Sequence, residues 1–499
     1  MKKYLSMICC LAVLFTAGCG DDDTGGEDGP KGEAKLTAFS FTAESNPDCL
    51  VKDYTGTISG TAVSVKVPAG TDVSALVATF ETADGESTVT VGGTPQVSGT
   101  TANDFSDPVD YLVNLGKKNA LYTVTVSELP EAVWTKVTEL EMEGGNNILL
   151  EIDPTDNKPA LAISTKDEGD LLYAKITGST ISPVIAQEKP ASQPSFGFSK
   201  SGQPYIMYYN STEKFNRITT FTNNSWKLQD ITIDRPLVNT GTGPTICDID
   251  NKIFFFTSNN AASGAIAKRG HNITIFDGSQ WYTQQTIPGR SGYTYYPVAR
   301  VVNDIMYVLM LNPVSPNSFS IYTYKNGTWT TVVDSFAYTT SEEGATPTYY
   351  GIGSKCPDMA IDNDKNIYVG LSYKLGIGYR PHVMKFTYNE QTNTYEEGNR
   401  LGRAIETTSG DFCKIALSPI GIPYVAYLDS DTEKVMVASL DNKTKDWGTP
   451  TSISSDMYTT DFVLKFAKDG TAYLVYGTSD TAINAISHKI SLYKLATAE

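Results

Sequence analysis

Two groups of tyrosine and basic residues in this sequence have the chemistry to bind a sugar. One group precedes predicted strands, and the other lies between pairs of predicted strands. A tyrosine ring stacks on a sugar face, and an arginine holds a carboxylate through two parallel hydrogen bonds. The candidate ligand-binding residues are Arg269, Arg290, Tyr293, Tyr295, Tyr296, Tyr349, Tyr350, Tyr379, Arg380 and His382. The alternative is that these segments are merely ordered surface loops.

The sequence lacks the sets of residues that would carry catalysis or hold a metal. Its three histidines, His271, His382 and His488, are far apart and have no metal-ligand spacing. The aspartate-rich segments 248–250 and 362–364 lack the glutamate that would complete a calcium loop. We therefore predict no catalytic residue, no metal and no cofactor.

The cysteines outside the N-terminal segment favour a structural role. Cys247, Cys356 and Cys413 lie near the start of predicted innermost strands. Cys356 and Cys413 fall in neighbouring repeats, so their spacing permits a disulfide between them but does not establish one. Buried free thiols are the expected state.

A four-strand pattern repeats along most of the chain. Polar pairs such as Asp250-Asn251 and Asp469-Gly470 close each hairpin because they tolerate positive φ. One bulky residue recurs after a polar turn, at gaps of 47, 45, 55, 48, 66 and 52 residues, and the series is Trp134, Ile181, Trp226, Trp281, Trp329, Tyr395 and Trp447. Strand-like repeats of about this length predict a β-propeller. We expect these residues to pack between blades rather than to bind ligand.

The two ends of the repeat array complement each other. Val133–Leu140 has no hairpin before it, and the seventh repeat stops after its third strand, near Leu495. If Val133–Leu140 is the outer strand of the last blade, the ring closes without an open edge. We predict a seven-bladed β-propeller over residues 131–499. Its entering loops and its loops between second and third strands would bring the candidate ligand-binding residues to one face, over blades three to five.

The N-terminus has the features of an export signal. Met1–Lys3 is basic, and Leu5–Phe15 is apolar but too short to span a bilayer. The segment that ends at Cys19 resembles the lipobox of bacterial lipoproteins, although Thr16 stands where leucine is usual. The resemblance implies a signal peptide over 1–18 and a lipid on Cys19. The alternative is an ordinary cleaved signal with an incidental cysteine.

An acidic, glycine-rich tract follows Cys19. Gly20–Asp23 is similar to the export tag of surface lipoproteins in Gram-negative glycan foragers. The resemblance implies a lipid-anchored outer-membrane protein that faces the cell exterior. We expect residues 19–34 to be a flexible tether, because such a composition cannot bury apolar area.

Residues 35–130 contain short strands separated by turn signals, which predicts a β-sandwich. The segments Val67–Val73, Val97–Thr100 and Tyr122–Val126 resemble the Ig-like module that follows the anchor in many such lipoproteins. The resemblance implies a spacer that holds the next domain away from the membrane. The expected fold class is therefore all-β, an Ig-like β-sandwich followed by the propeller.

Composition restricts the partners. The formal net charge of −17 argues against nucleic acid and anionic lipid heads, which both need basic patches. We therefore expect contact with the membrane through the lipid anchor only. Charged residues make up only 19% of the chain, while tyrosine reaches 29 copies, which suits a sugar- or peptide-binding surface or tightly filled blade interfaces. We expect a monomer.

The leading hypothesis is a cell-surface lipoprotein whose propeller binds glycan or host glycoprotein in adhesion or capture, without catalysis. The segment Gly421–Tyr427 resembles lectin-like and sialidase-like propellers, which implies a fold and not a ligand. One alternative is a propeller glycoside hydrolase or polysaccharide lyase, for which Tyr379, Arg380 and His382 are the first candidates. Another is a structural scaffold in an outer-membrane complex.

Overall fold

The computed structural model is an all-β structure. It describes residues 32–165, 169–213, 215–229, 245–259, 270–284, 287, 295–312, 318–337, 357–375, 378–403, 405, 410–441, 444–453, 458–479 and 487–496. These residues form strands, turns and bends and no helix, which confirms the predicted fold class at this level. Across the same ranges there is accordingly no apolar helix of bilayer-spanning length.

The first eleven strands form one unit, which we call the first unit. They are β1 (Leu36–Phe41), β2 (Tyr54–Thr55), β3 (Thr57–Ser59), β4 (Ala62–Val67), β5 (Leu76–Val77), β6 (Thr79–Thr82), β7 (Thr88–Val91), β8 (Thr94–Pro95), β9 (Ala102–Asn103), β10 (Val109–Leu115) and β11 (Lys118–Glu128). One sheet has the order β2-β1-β6, and a larger one has the order β3-β4-β11-β10-β7-β8. Strands β5 and β9 pair separately.

The two larger sheets of the first unit enclose an aromatic core. Every second residue of β10 is buried, from Val109 to Leu115, as expected for a strand with one face on a core. Phe39 of β1 meets Tyr111 of β10 edge to face, with ring centroids 5.3 Å apart. The unit is therefore a two-layer arrangement of strands with one continuous apolar interior.

The remaining strands form the second part of the chain. They are β12 (Val133–Ile152), β13 (Pro159–Thr165), β14 (Leu171–Lys175), β15 (Val184–Gln187), β16 (Ser192–Phe198), β17 (Pro204–Asn210), β18 (Phe215–Thr222), β19 (Ser225–Leu228), β20 (Thr245–Ile249), β21 (Lys252–Asn259), β22 (Gly270–Phe276), β23 (Trp281–Gln284), β24 (Tyr295–Val302), β25 (Ile305–Asn312), β26 (Ser318–Lys325), β27 (Thr328–Phe336), β28 (Asp358–Ile361), β29 (Ile367–Leu375), β30 (Gly378–Phe386), β31 (Tyr388–Asn389), β32 (Thr394–Tyr395), β33 (Asn399–Arg400), β34 (Gly410–Leu417), β35 (Pro423–Asp429), β36 (Lys434–Ser439), β37 (Thr451–Ser452), β38 (Tyr458–Phe466), β39 (Ala472–Ser479) and β40 (Ser487–Ala496).

Most of these strands form antiparallel groups of four in sequence order. The groups β16–β19, β20–β23, β24–β27, β28-β29-β30-β33 and β34–β37 are separate sheets. A seven-stranded sheet has the order β15-β14-β13-β12-β40-β39-β38. It combines the first and the last group, which share β12: Val133–Glu141 pairs with β40, and Gly145–Ile152 pairs with β13.

The innermost strands of the groups lie side by side in a closed cycle. Strand β12 contacts β16, and the contacts continue through β20, β24, β28, β34 and β38 back to β12. We call this arrangement the ring and number its groups in chain order. Apolar clusters fill the spaces between neighbouring groups, as between the fourth and the fifth.

Several tryptophans of the repeat lie in these clusters. Trp226 packs between the first and second groups, where its ring centroid is 5.0 Å from that of Tyr173. Trp329 packs between the third and fourth groups. Trp447 packs between the fifth and sixth, and its Nε1 donates to the Leu401 carbonyl at 2.9 Å. These side chains have the packing role that the repeat predicts.

Three members of the predicted series lie outside the outer strand of their group. Trp447 forms an isolated bridge with Leu440 ahead of β37. Ile181 is buried, but it precedes the outer strand β15 and is not part of it. Tyr395 lies in β32, which pairs with β31 in a separate two-stranded ribbon. The outer strand of that group is β33, which starts at Asn399. Ile181 and Tyr395 still pack where the repeat predicts: Ile181 between the first and last groups, and Tyr395 against the cluster between the fourth and fifth.

The ring has two different ends. At one end, which we call the turn end, tight turns join the first and second strands of each group. Each of these turns has a residue with positive φ, and these are Asn157, Gly202, Asn251, Asn303, Lys365, Gly421 and Gly470. At the opposite end, which we call the loop end, the innermost strands start and the second strands end. Among the residues between these strand ends, 260–269, 288–294, 338–356 and 376–377, which include five of the candidate ligand-binding residues, lie outside the described residues, as do several other segments.

Candidate ligand-binding site

Half of the ten predicted ligand-binding residues have a described backbone. Tyr295 and Tyr296 belong to β24, and Tyr379, Arg380 and His382 belong to β30. Side-chain positions are described for Arg380 and His382. The residues outside the described part of the chain are Arg269, Arg290, Tyr293, Tyr349 and Tyr350, together with the predicted lipidation residue Cys19.

Tyr295 and Tyr296 start the innermost strand of the fourth group at the loop end. Tyr295 pairs with Leu311, and the register then shifts before Val298 pairs with Leu309. Tyr296 therefore lies in a β-bulge. A bulge bends the strand and changes the direction of the side chains it carries, and bulges are frequent beside functional sites.

Arg380 and His382 occupy the same face of β30, because successive side chains of a strand alternate. Arg380 is two residues beyond Gly378, which forms the last pair of the β29–β30 hairpin at the loop end. His382 lies deeper and is only 2% exposed. The Cys413 Sγ donates to the His382 carbonyl oxygen at 3.8 Å, which fixes His382 against the innermost strand of the sixth group.

Similar bulges recur at the loop end of other innermost strands. The register shifts between Asn146 and Ile148, Ser192 and Ser195, Tyr295 and Val298, Asp411 and Lys414, and Thr459 and Asp461. Within the described residues, the innermost strands of five groups therefore each carry an extra residue near the loop end. No pattern in the sequence marks them, because a bulge depends on the partner strand.

Charged side chains join the innermost strands across the group interfaces. The Nη2 of Arg300 in the fourth group lies 2.8 Å from the Oδ1 of Asp358 in the fifth. The second oxygen of Asp358 accepts the backbone N–H of Ile415 in the sixth group at 3.2 Å. These groups are mostly shielded from solvent, so they hold neighbouring sheets together. No local pattern in the sequence identifies these residues, since their partners are distant along the chain.

A similar carboxylate connects the last group to the first. Asp461 accepts the backbone N–H of Ile148 at 3.1 Å and that of Phe462 at 2.9 Å. Burial raises the pKa of Asp461, and the positive charge of Lys414 opposes this rise. The carboxylate is therefore kept in place at an energetic cost of desolvation.

The described cysteines are free thiols. Cys247 and Cys413 are buried, and burial raises the pKa of Cys247 to about 12 and that of Cys413 further. A protonated thiol is a poor nucleophile, so neither side chain suits covalent catalysis. Cys356, the possible disulfide partner of Cys413, lies outside the described residues. No cluster of three or more metal-binding side chains occurs among the residues that the structure describes.

The first unit has a shallow groove of about 540 Å³ along its edge strand β6. Phe80, Thr82, Thr88 and Gln96 contribute to its walls. The Ser98 hydroxyl accepts the Phe80 N–H and donates to the Phe80 carbonyl oxygen, both at 2.8 Å. Ser98 therefore satisfies the backbone N–H and carbonyl of Phe80, with which another strand could otherwise pair.

Comparison with solved structures finds similar chains of low identity. The α-L-arabinanase of Penicillium chrysogenum, solved with arabinobiose, is 13% identical with a TM-score of 0.38, over 61% of this chain and 92% of that chain. A PL25 ulvan lyase is 15% identical with a TM-score of 0.40, over 58% and 82%. A DUF4623 family protein from Bacteroides eggerthii is 9% identical with a TM-score of 0.34, over 93% and 98%.

Comparison with curated proteins finds no match. A family model does match the first unit. Residues 39–126 match the family described as SGBP, N-terminal. SGBP proteins are surface glycan-binding proteins of Bacteroidetes. The match therefore covers most of the first unit and none of the ring.

Proposed function

We propose that this chain is a cell-surface lipoprotein that binds glycan or glycoprotein at the loop end of its ring, without catalysis. The observation that carries the proposal is the match of residues 39–126 to the N-terminal domain of SGBP proteins. In this chain that domain directly precedes a second, larger unit. The larger unit is the natural place for recognition, since the first is small and the groove along its edge strand β6 is shallow.

We interpret the ring as a seven-bladed β-propeller over 131–499 and the first unit as an Ig-like β-sandwich over 35–130. The closed cycle of innermost strands supports the first interpretation. The sharing of β12 between the first and last groups supports closure by an N-terminal strand. Two sheets packed on an aromatic core support the second interpretation.

The proposed binding residues are those predicted from the sequence. Tyr295 and Tyr296 start an innermost strand at a bulge, which suits side chains that must turn toward the mouth of the ring. Arg380 is half-buried and close to the loop end of β30. Tyrosine stacking with an arginine fits a neutral or an acidic glycan.

The remaining parts of the proposal concern location. We propose that residues 1–18 are removed as a signal peptide, that Cys19 carries lipid, and that 19–34 tethers the protein to the outer membrane. The protein would then face the cell exterior as a monomer that touches the membrane only through its anchor. The net charge of −17 supports a partner other than nucleic acid.

One experiment distinguishes binding from catalysis. It uses the chain from residue 19 onward, with Cys19→Ser. The chain is tested against a panel of neutral and acidic polysaccharides by affinity electrophoresis, and each mixture is assayed for new reducing ends and unsaturated products. We expect retardation by at least one polysaccharide and no product. Product that disappears in His382→Ala would favour a hydrolase or lyase, and absence of both binding and product would overturn the proposal.

A further inference from the structure

The first unit touches the ring at the turn end. Gly470 lies in the turn between β38 and β39, and a Cβ atom at this position would be 2.8 Å from Cγ2 of Val51 and 3.4 Å from its Cβ. The φ of Gly470 is +89°, a conformation that favours glycine. Val51 therefore sits directly on the Gly470 backbone.

Val51 is held rigidly within the first unit. The preceding residue, Leu50, is buried in the core, and its N–H donates to the Asn46 carbonyl at 2.9 Å. The Asn46 side chain donates to the carbonyls of Thr42 and Val77, both at 2.9 Å, and accepts the Val77 N–H at 2.8 Å. The segment that presents Val51 thus has a fixed position on its own unit.

The opposite side of the contact is equally well ordered. The Gly470 N–H donates to the Ala467 carbonyl at 3.1 Å, and the Ala467 N–H donates to the Thr471 carbonyl at 2.9 Å. The Thr471 N–H donates to the Asp469 carboxylate at 2.9 Å. Because neither side needs to reorganise, little conformational entropy is lost when they meet.

The connection between the two units is short and enters at the same end. The Leu129 N–H donates to the Val67 carbonyl at 2.7 Å, so Leu129 still belongs to the first unit. Strand β12 begins at Val133, which pairs with Ala496 at the turn end. Residues 130–132 remain, and three residues span at most about 11 Å. Pro130 further restricts this segment.

We propose that the first unit is docked on the turn end in one orientation, with Val51 seated on the Gly470 turn, so that the loop end points away from the N-terminal attachment. The docking does not depend on any ligand. Its consequence for glycan capture rests on the proposed function: the loop end would face outward from the cell while the first unit occupies the opposite end.

Disulfide trapping tests the docking. In a Cys49→Ser background, which removes a neighbouring thiol, Val51→Cys is combined with Gly470→Cys. The Cβ separation of 3.4 Å is close to that of a disulfide, about 3.8 Å. The matched control combines Val51→Cys with Gly421→Cys, since Gly421 has the same place in the turn of the sixth group, with φ of +79°. Mild oxidation is followed by peptide mass spectrometry without reduction.

We expect near-complete cross-linking of the Gly470 pair and at least tenfold less in the Gly421 control. Equal cross-linking of both pairs would show that the first unit swings freely, and would overturn the proposal. If Gly470→Cys prevents folding, Val51→Cys with Asp469→Cys and a short bismaleimide replaces it, with Ile420→Cys as control. Absence of cross-links in both folded pairs would equally overturn the docking. Glycan binding is not part of the readout, so this result is independent of the proposed function.

Discussion

The Nζ of Lys465 lies 2.8 Å from the Oε1 of Glu151, although 314 residues separate them in the sequence. The pair joins the innermost strand of the last group to that of the first. On the same two strands, the Asp461 carboxylate accepts the Ile148 N–H, and farther out β40 pairs with β12. Closure of the ring thus rests on a backbone ladder together with side-chain contacts on the inner strands.

Shortening a buried side chain at the closure should destabilise the whole protein. Leu492 of β40 is fully buried between β39 and β12, in the cluster that contains Ile148. We expect Leu492→Ala to lower the free energy of unfolding in urea by about 2–5 kcal/mol. Val133→Ala is the control, because Val133 is 52% exposed and should cost below about 0.5 kcal/mol. A loss for Leu492→Ala no larger than that of the control would contradict the closure.

Asp461 should make stability depend on pH in an unusual direction. Burial raises its pKa in the folded protein, so the folded state binds the proton more tightly than the unfolded state. This contribution to stability is present below the unfolded pKa of about 3.9 and is lost as pH rises through the higher folded pKa. Measured across this window, the free energy of unfolding of the wild type should fall relative to Asp461→Asn. If the free energy of unfolding of the wild type stays constant or rises with pH relative to that of Asp461→Asn, the assignment is refuted.

Asp277 should have the opposite effect. It accepts the backbone N–H groups of Gln280 and Ser279 and the Ser279 hydroxyl, and these bonds lower its pKa to about 2. The stability it contributes is present above the unfolded pKa of about 3.9 and is lost as pH falls toward the folded value. The difference in free energy of unfolding between wild type and Asp277→Ala should therefore shrink on acidification from about pH 5 to about pH 3.

The control for Asp277 is Asp277→Asn, which keeps an acceptor oxygen but does not titrate. The difference between Asp277→Asn and Asp277→Ala should stay constant over the same pH range. If the difference between Asp277→Asn and Asp277→Ala shrinks as much as that between wild type and Asp277→Ala, titration of the carboxylate does not cause the pH dependence.

Close packing between innermost strands should make substitution of Gly197 destabilising. A Cβ at Gly197 of β16 would lie 2.9 Å from the Ile246 Cβ of β20. We expect Gly197→Ala to lower the free energy of unfolding by about 1–3 kcal/mol, because the two strands must move apart. Gly178→Ala is the control, since nothing lies within 4 Å of its Cβ position. Equal thermal midpoints of the two variants would contradict the close contact.

The strands were largely predictable because their signals are local. The strands 36–41, 88–91 and 109–115 lie in the region predicted to contain short strands, where alternating apolar residues end at turn-forming residues. The turn of the third group at Asp250-Asn251 has positive φ at both residues, as such polar pairs allow. The ribbon that holds Tyr395 was not predicted, because strands of two residues give no periodic signal.

The arrangement of the candidate site was less accessible from the sequence. The aromatic and basic residues could be selected by chemistry, but the bulge at Tyr296 depends on the register with β25. The burial of His382 depends on β34, which is distant in sequence. The ion pair of Arg300 with Asp358 likewise forms between separate sheets. Such features arise from tertiary packing and leave no periodic trace.

The location of the binding surface is tested most directly by calorimetric titration of two double variants with a polysaccharide that retards the protein in affinity electrophoresis. Tyr295→Ala with Tyr296→Ala alters the loop end, and Lys200→Ala with Asp304→Ala alters an exposed ion pair of the turn end. We predict at least tenfold weaker binding for the loop-end variant, about 1.4 kcal/mol, and unchanged binding for the turn-end variant. Unchanged affinity at the loop end, or loss only at the turn end, would contradict a glycan site at the mouth of the ring.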